Sequence, residues 1–191
     1  MKRLFIISLS ICLSTLGVSL FDSQPFKSGK EFTTDLYTSN PDTLHTGPNI
    51  FNPILSDLAD VNISLRLPPY FAAETYVYPD RPLFGIIESI GPDSYEIQIA
   101  ATEDCRWNTF CWVGTVSANT STELDLTSSE TVQLTYGLQG HFIASTCTSS
   151  CSMSKIIWTE DDNLYLIEQR GALKETMILI ANSAIENSVG N

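Results

Sequence analysis

Residues 83–100 read LFGIIESIGPDSYEIQIA, and this stretch decides the fold class. Tyr95, Ile97 and Ile99 alternate with polar residues, so the second half presents one apolar face as a pleated strand does. GPDS, at 91–94, supplies turn residues between two strand-like runs, and the spacing predicts a hairpin. Working outward, the same pattern recurs. FCWVGTVSA (110–118) reads as a strand and is followed by a Ser/Thr-rich loop from Asn119 to Glu130. TVQLTY and HFIAST flank Gly137-Leu138-Gln139-Gly140 as a second hairpin, and KIIWTE and NLYLIEQ flank Asp161-Asp162 as a third.

The ends of this β-rich stretch read differently. In ALKETMILIANSAIEN (172–187), Leu173, Met177, Ile178, Ala181 and Ile185 recur at helical spacing. Upstream, NPILSDLAD (52–60) has a capping Asn52 and Pro53 at the first helical position, which predicts a short helix. Val61, Ile63, Leu65 and Leu67 then alternate as a strand that Pro68 and Pro69 stop. LPPY (67–70) is explained by that stop without a proline-binding partner. The expected architecture is α+β: an antiparallel sheet of about eight strands in sequential hairpins, with a short N-terminal helix and a C-terminal helix packed on a sheet face.

The chain begins with Met1-Lys2-Arg3 and then LFIISLSICLSTLGVSLF, apolar until Asp22. This predicts a secretory signal peptide over 1–19, the alternative being an uncleaved N-terminal membrane anchor. Ile11 ahead of Cys12 argues against a lipoprotein box. Residues 20–49 read as a flexible arm or linker, 50–187 as one domain and 188–191 as a tail. The expected location is periplasmic or secreted. Of ten basic residues, Lys2 and Arg3 leave with the leader, so the remaining chain faces its 22 acids with a net charge near −14. With no basic cluster to displace counterions, nucleic-acid binding is not expected, and the same sign disfavours anionic membrane surfaces after cleavage. Charged residues are only 17% of the chain and hydrophobic ones 43%, which favours a folded core over disorder.

Cys105, Cys111, Cys147 and Cys151 remain once Cys12 leaves, and four cysteines allow three pairings. CTSSC (147–151) has the spacing of a zinc-ligand pair, whereas CRWNTFC (105–111) is too wide. An oxidising compartment favours disulfides, and neither pair is a C-x-x-C at a helix start, as a redox centre needs. Local pairing, 105 with 111 and 147 with 151, is the most economical arrangement. Each ring is small, so the chain-entropy gain is about 2 kcal/mol apiece. Such staples shape a loop more than they hold a fold. The first constrains Trp107 and Phe110, a candidate stacking surface for a sugar or peptide, or else a cover for the sheet's end.

Reactive constellations are scarce. The two histidines are His45, in the arm, and His141, at a strand start, and no G-x-S-x-G elbow accompanies them. Glu88 and Glu96 are expected to face each other across the first hairpin, a weak candidate for paired-acid hydrolysis. Glu160-Asp161-Asp162-Asn163 lacks a calcium-loop spacing and reads as a solvated tip. No metal and no cofactor are expected. Asn62-Ile63-Ser64 and Asn119-Thr120-Ser121 are glycosylation sequons. Asn182, four residues after Ile178 on the helix's apolar side, should need a partner that ties helix to sheet. Trp112 and Trp158 are assigned structural roles.

Taken together, CRWNTFCWVG, YGLQGHFIAST, CTSSC, IIWTEDDNLYLI and MILIANSAI, with LPPY ahead of them, resemble a family of small secreted cyanobacterial proteins over roughly residues 50–187. That family has no assigned function, so the resemblance implies no catalytic residue. The chain's ending is also similar to a domain of unknown function in bacterial envelope and anti-sigma proteins. In architecture alone there is a distant likeness to the lipoprotein-carrier fold, a curved antiparallel sheet closed by helices, which implies no activity. The leading expectation is a non-catalytic binding or structural protein of the cell envelope, its partner a peptide, an envelope protein or a polysaccharide. A carrier or sensor holding an apolar ligand in a cavity lined by Trp158, Ile97 or Ile178 comes second. A hydrolase using convergent carboxylates, or His141 beside a hydroxyl, comes third.

Overall fold

The computed structural model describes residues 50–71, 82–106, 108–120, 126–147 and 151–189. The expected leader, the arm with His45, and Trp107 lie outside the described residues. In chain order the elements are β1 (Leu65–Arg66), β2 (Phe84–Gly91), β3 (Ser94–Ala100), β4 (Trp112–Asn119), β5 (Glu130–Gln133), β6 (Gln139–Ile143), β7 (Ser154–Glu160), β8 (Asn163–Gln169), α1 (Lys174–Glu186) and β9 (Ser188–Val189).

Seven of these strands form an antiparallel sheet in the order β2-β3-β4-β8-β7-β6-β5, while β1 pairs with β9. The first and third expected hairpins form where their turn residues sit, whereas the second turns earlier than expected, over 134–138, with Gln139 and Gly140 already paired in β6. Gly91 and Ser94 pair around Pro92-Asp93. Asp161 and Asp162 adopt φ of 50° and 63°, the left-handed pair that a two-residue hairpin turn demands and that Asp tolerates. The run of sequential hairpins breaks once, because β4 pairs with β8 and not with β5. This break has a physical reason. β4 and β8 each bury side chains on both faces, among them Val113, Thr115, Val116 and Leu164, Tyr165, Ile167. Joining them places both at the middle of the sheet and leaves the short, polar β5 at one edge.

Cross-strand register aligns Ile97, Val116, Ile167, Ile156 and Phe142 in one row of the inner face, and Tyr95, Ala118, Tyr165 and Trp158 in the next. Trp158 stacks on Tyr165 with ring centroids 5.3 Å apart. The inner face is covered by α1, whose buried stripe is Met177, Ile180, Ala181, Ala184 and Ile185. The expected stripe is shifted: Ile178 lies only partly buried at its flank, and Leu173, the residue before the helix, is exposed. The i, i+3, i+4, i+7, i+8 spacing from Met177 explains the difference.

The stretch before the sheet departs further from expectation. Asn52–Ile54 form a 3-10 helix, and successive bonds Asp57 N–H to Ile54 O, Leu58 N–H to Leu55 O and Val61 N–H to Leu58 O continue as tight turns. An isolated helix this short is costly to nucleate, and burial of Phe51 and Leu58 fixes the turns instead. Val61, Ile63, Leu65 and Leu67 are all buried, as their alternation predicts, yet only Leu65 and Arg66 join a ladder. The segment is a strap laid over the inner face. The Arg66 N–H donates to the Tyr95 hydroxyl at 3.1 Å, and the Tyr165 hydroxyl donates to Ser64 O at 3.2 Å. The Arg66 guanidinium grips the Glu160 carboxylate through two bonds, of 2.6 and 2.9 Å, and donates to Ile185 O at 3.1 Å. A paired, bidentate arginine of this kind tolerates burial. Burial pushes the Tyr95 hydroxyl well above its ordinary range, so it stays neutral.

Candidate functional site

β2 is an edge strand, and a groove of about 580 Å³ lies against it, between the strand and the 50–57 turns. Ile50, Ile54, Leu83, Phe84, Ile86 and Ile87 supply its apolar wall; Asn52, Asp57 and Glu103 are exposed at its rim. Gly85 sets how close the turns come. A Cβ at this position would stand 3.1 Å from Ile50 O and 3.2 Å from Ile54 Cδ1, so its absence lets the turns settle on the strand. Side chains of a strand alternate between faces, and the lining takes Phe84 and Ile86 from one face and Gly85 and Ile87 from the other. The groove therefore follows the edge of β2 that points away from β3.

Glu103 reaches the groove from the β3–β4 connection, which holds the first disulfide, Cys105–Cys111. Asn108 organises this loop: its carbonyl accepts from the N–H groups of Cys111 (3.1 Å) and Trp112 (2.9 Å), and its Oδ1 accepts from Phe110 N–H at 3.0 Å. Phe110 projects with 88% of its surface exposed. Trp112 opens β4, half-buried, and donates through Nε1 to Gly114 O at 2.9 Å. The second disulfide, Cys147–Cys151, lies in the β6–β7 connection. Strand order places both rings at one end of the sheet, with the end of β8 between them.

Other sequence candidates fall elsewhere. A bulge between Ile87 and Ser89 puts Ser89, not Glu88, opposite Glu96, which corrects the expected carboxylate pair: the extra residue in β2 is Glu88 itself. Burial, then the charges of Glu88 and Glu168, raise the Glu96 carboxyl above its ordinary range. Glu168 pairs with Lys155 across β7 and β8. His141 Nδ1 is 3.4 Å from Ser129 Oγ. That hydroxyl, however, donates its one proton to Leu126 O at 2.8 Å, so it meets His141 as an acceptor and closes a turn. Asn182 Oδ1 accepts from Thr135 N–H at 2.8 Å, which ties α1 to the β5–β6 connection. Trp158 and Ile97 belong to the packed inner face; neither they nor Ile178 line the groove. Asn62 Nδ2 donates to Asp93 Oδ1 at 3.3 Å, and Tyr70 of LPPY donates to Leu179 O at 3.2 Å. Among the described residues no group of three His, Cys, Asp or Glu side chains is placed to share a metal ion. Among them, too, no helix is long and apolar enough to cross a membrane.

Sequence reasoning did not locate the groove. Its signal was present in LFGII, where Phe84, Ile86 and Ile87 place large apolar side chains on both faces of a strand, a pattern that requires cover on both sides. Comparison with protein-family models, with curated proteins and with solved structures finds no match to this chain.

Proposed function

We propose that the protein is an exported, disulfide-stapled binding protein of the cell envelope that acts without catalysis, through the groove along β2. The observation that carries this reading is an apolar, partly enclosed groove against an edge strand, whose polar side chains among the described residues stand at its rim. Ligand sites commonly take this form, apolar walls with a few polar groups that fix orientation. Two disulfides support an oxidising compartment.

The test is selection of a random peptide display library on the oxidised protein, repeated on Asn52→Trp. Asn52 is exposed at the rim, so an indole there fills the groove without entering the core. Binders that bind the variant about tenfold more weakly, and that are recovered intact by mass spectrometry after prolonged incubation, are the expected result. A library that yields no binder, or binders indifferent to Asn52→Trp, sinks the groove as the site. Cleaved binders would show catalysis.

A further inference from the structure

We infer that the occupant of this groove is an extended, cationic polypeptide segment that adds a strand to β2. The inference rests on the groove being the binding site, as proposed above. Three features of the groove point the same way. The first is the match between groove and strand register. β2 pairs regularly with β3 from Phe84↔Ala100 to Ile87↔Ile97, and then the bulge at Glu88 shifts the register. The β2 residues that line the groove are Phe84, Gly85, Ile86 and Ile87, the same unbulged stretch. A bulge turns an edge away from further pairing, so the strand offers a docking length of about 13 Å, four residues of an added strand. A rounded ligand has no need of this coincidence; an extended backbone does, because its N–H and C=O groups need a straight partner edge.

The second feature is charge. Among the described residues, the ionisable side chains that line the groove, Asp57 and Glu103, are acids, and no Lys or Arg joins them in the lining. The chain's net charge of −12 has the same sign. An anionic amphiphile would bring its head group against these carboxylates, and a second copy of this chain would bring a surface of like charge. A segment carrying Lys or Arg meets the opposite sign. The third feature is apolar relief on both sides of the edge, with Phe84 and Ile86 on one face and Ile87 on the other. It suits a segment whose alternate residues are aliphatic and basic.

The experiment uses the full oxidised chain and two labelled probe peptides of about ten residues, one alternating lysine and valine, the other alternating glutamate and valine. Binding is read by fluorescence anisotropy, and contact by backbone amide exchange. The lysine peptide is expected to bind, to slow exchange at amides within Phe84–Ile87, and to lose about tenfold in affinity on Asp57→Lys/Glu103→Lys. Both substituted positions are exposed, so the variant should fold, which a thermal melt checks. The glutamate peptide is expected to bind at least about tenfold more weakly than the lysine peptide. Equal affinity for the two peptides, or protection that avoids Phe84–Ile87, overturns the inference. So does displacement of the lysine peptide by decanoate, or self-association of the protein through β2. Those results leave a groove that binds something else, whereas a groove that also fails the library selection takes the functional proposal with it.

Discussion

The two disulfide rings stand at the same end of the sheet and close loops of similar size, six and four residues apart in sequence, yet they are built differently. Cys105 is buried, at 1% exposure, and Cys111 is half-buried; the loop between them is wired through Asn108 into the first residue of β4. Cys147 and Cys151 are both exposed. Their ring is framed from outside the disulfide: Thr146 N–H donates to Ser152 Oγ and Ser152 N–H to Thr146 O, each at 2.8 Å. The first ring is part of the packing, and its hydrogen bonds would lose their geometry with the bridge. The second sits on a neck that one backbone bond and the Ser152 hydroxyl already close. Equal chain-entropy arithmetic therefore hides unequal roles, because that arithmetic counts only ring size.

The sharpest way to break the first ring's foundation is Gly114→Ala, two residues into β4. A Cβ there would collide with the Glu168 carbonyl oxygen, which is backbone in the central strand and has nowhere to go. The expected loss is about 3 kcal/mol or more in chemical denaturation, since overpacking against backbone forces the strands apart. Wild-type stability in this variant would show that β4 and β8 do not approach so closely. Next in size come the rings themselves. Cys105→Ala/Cys111→Ala should cost about 3 kcal/mol, ring entropy plus lost burial, and Cys147→Ala/Cys151→Ala about 1–2 kcal/mol. Under mild reductant, alkylation should mark Cys147 and Cys151 first, because an attacking thiolate reaches exposed sulfur more readily. Equal losses, or labelling in the reverse order, would dissolve the contrast.

Much of this was legible in the lettering, and the reason is local. Turn residues at Gly91–Ser94 and Asp161-Asp162 fix their hairpins regardless of context, and ring-closing cysteines four and six apart pair with themselves. The features that escaped are non-local. Nothing near Asn119 or Glu130 says that β4 will find β8; that choice is made by strands that bury both faces competing for the middle of the sheet. The alternation at Val61–Leu67 gave burial correctly but not pairing, because hydroxyls of Tyr95 and Tyr165, far along the chain, satisfy backbone groups that a ladder would otherwise take. The groove escaped for the same reason, being made by an edge strand together with turns some thirty residues before it. Glu88 and Glu96 misled because a single inserted residue in β2 takes Glu88 out of the register position opposite Glu96, although its charge still reaches that carboxyl.

The opposite end of the sheet supplies a control that neither ring should influence. Asn182→Ala removes the acceptor of the Thr135 N–H and leaves that half-buried donor without its 2.8 Å partner. A loss of about 1–2 kcal/mol is expected, with most of it recovered in Asn182→Asp, which keeps an acceptor oxygen. A loss that grows when either disulfide is reduced would mean the two ends are coupled, and the rings could not then be compared as independent parts.

The smallest effect tests the charge on the sheet's other face, between the two ends. In the unfolded chain Glu96 titrates near its ordinary 4.5, and in the folded protein its pKa is raised by burial and then by Glu88 and Glu168. The folded state thus holds this proton more tightly than the unfolded one. Its contribution is most favourable below pH 4.5 and declines as pH rises through the raised folded value, the reverse of a salt-bridged acid. Glu96→Gln removes the charge, so the variant should melt higher than wild type at neutral pH. Partial exposure and the Lys155–Glu168 pair beside it keep the gain below about 1 kcal/mol. The gain should shrink as pH falls through the raised folded value toward the ordinary 4.5, where wild-type Glu96 takes up the proton as well. A difference in melting temperature that stays constant from acid to neutral pH would locate the effect in the amide's packing instead of in the cost of burying the Glu96 charge beside two other carboxylates.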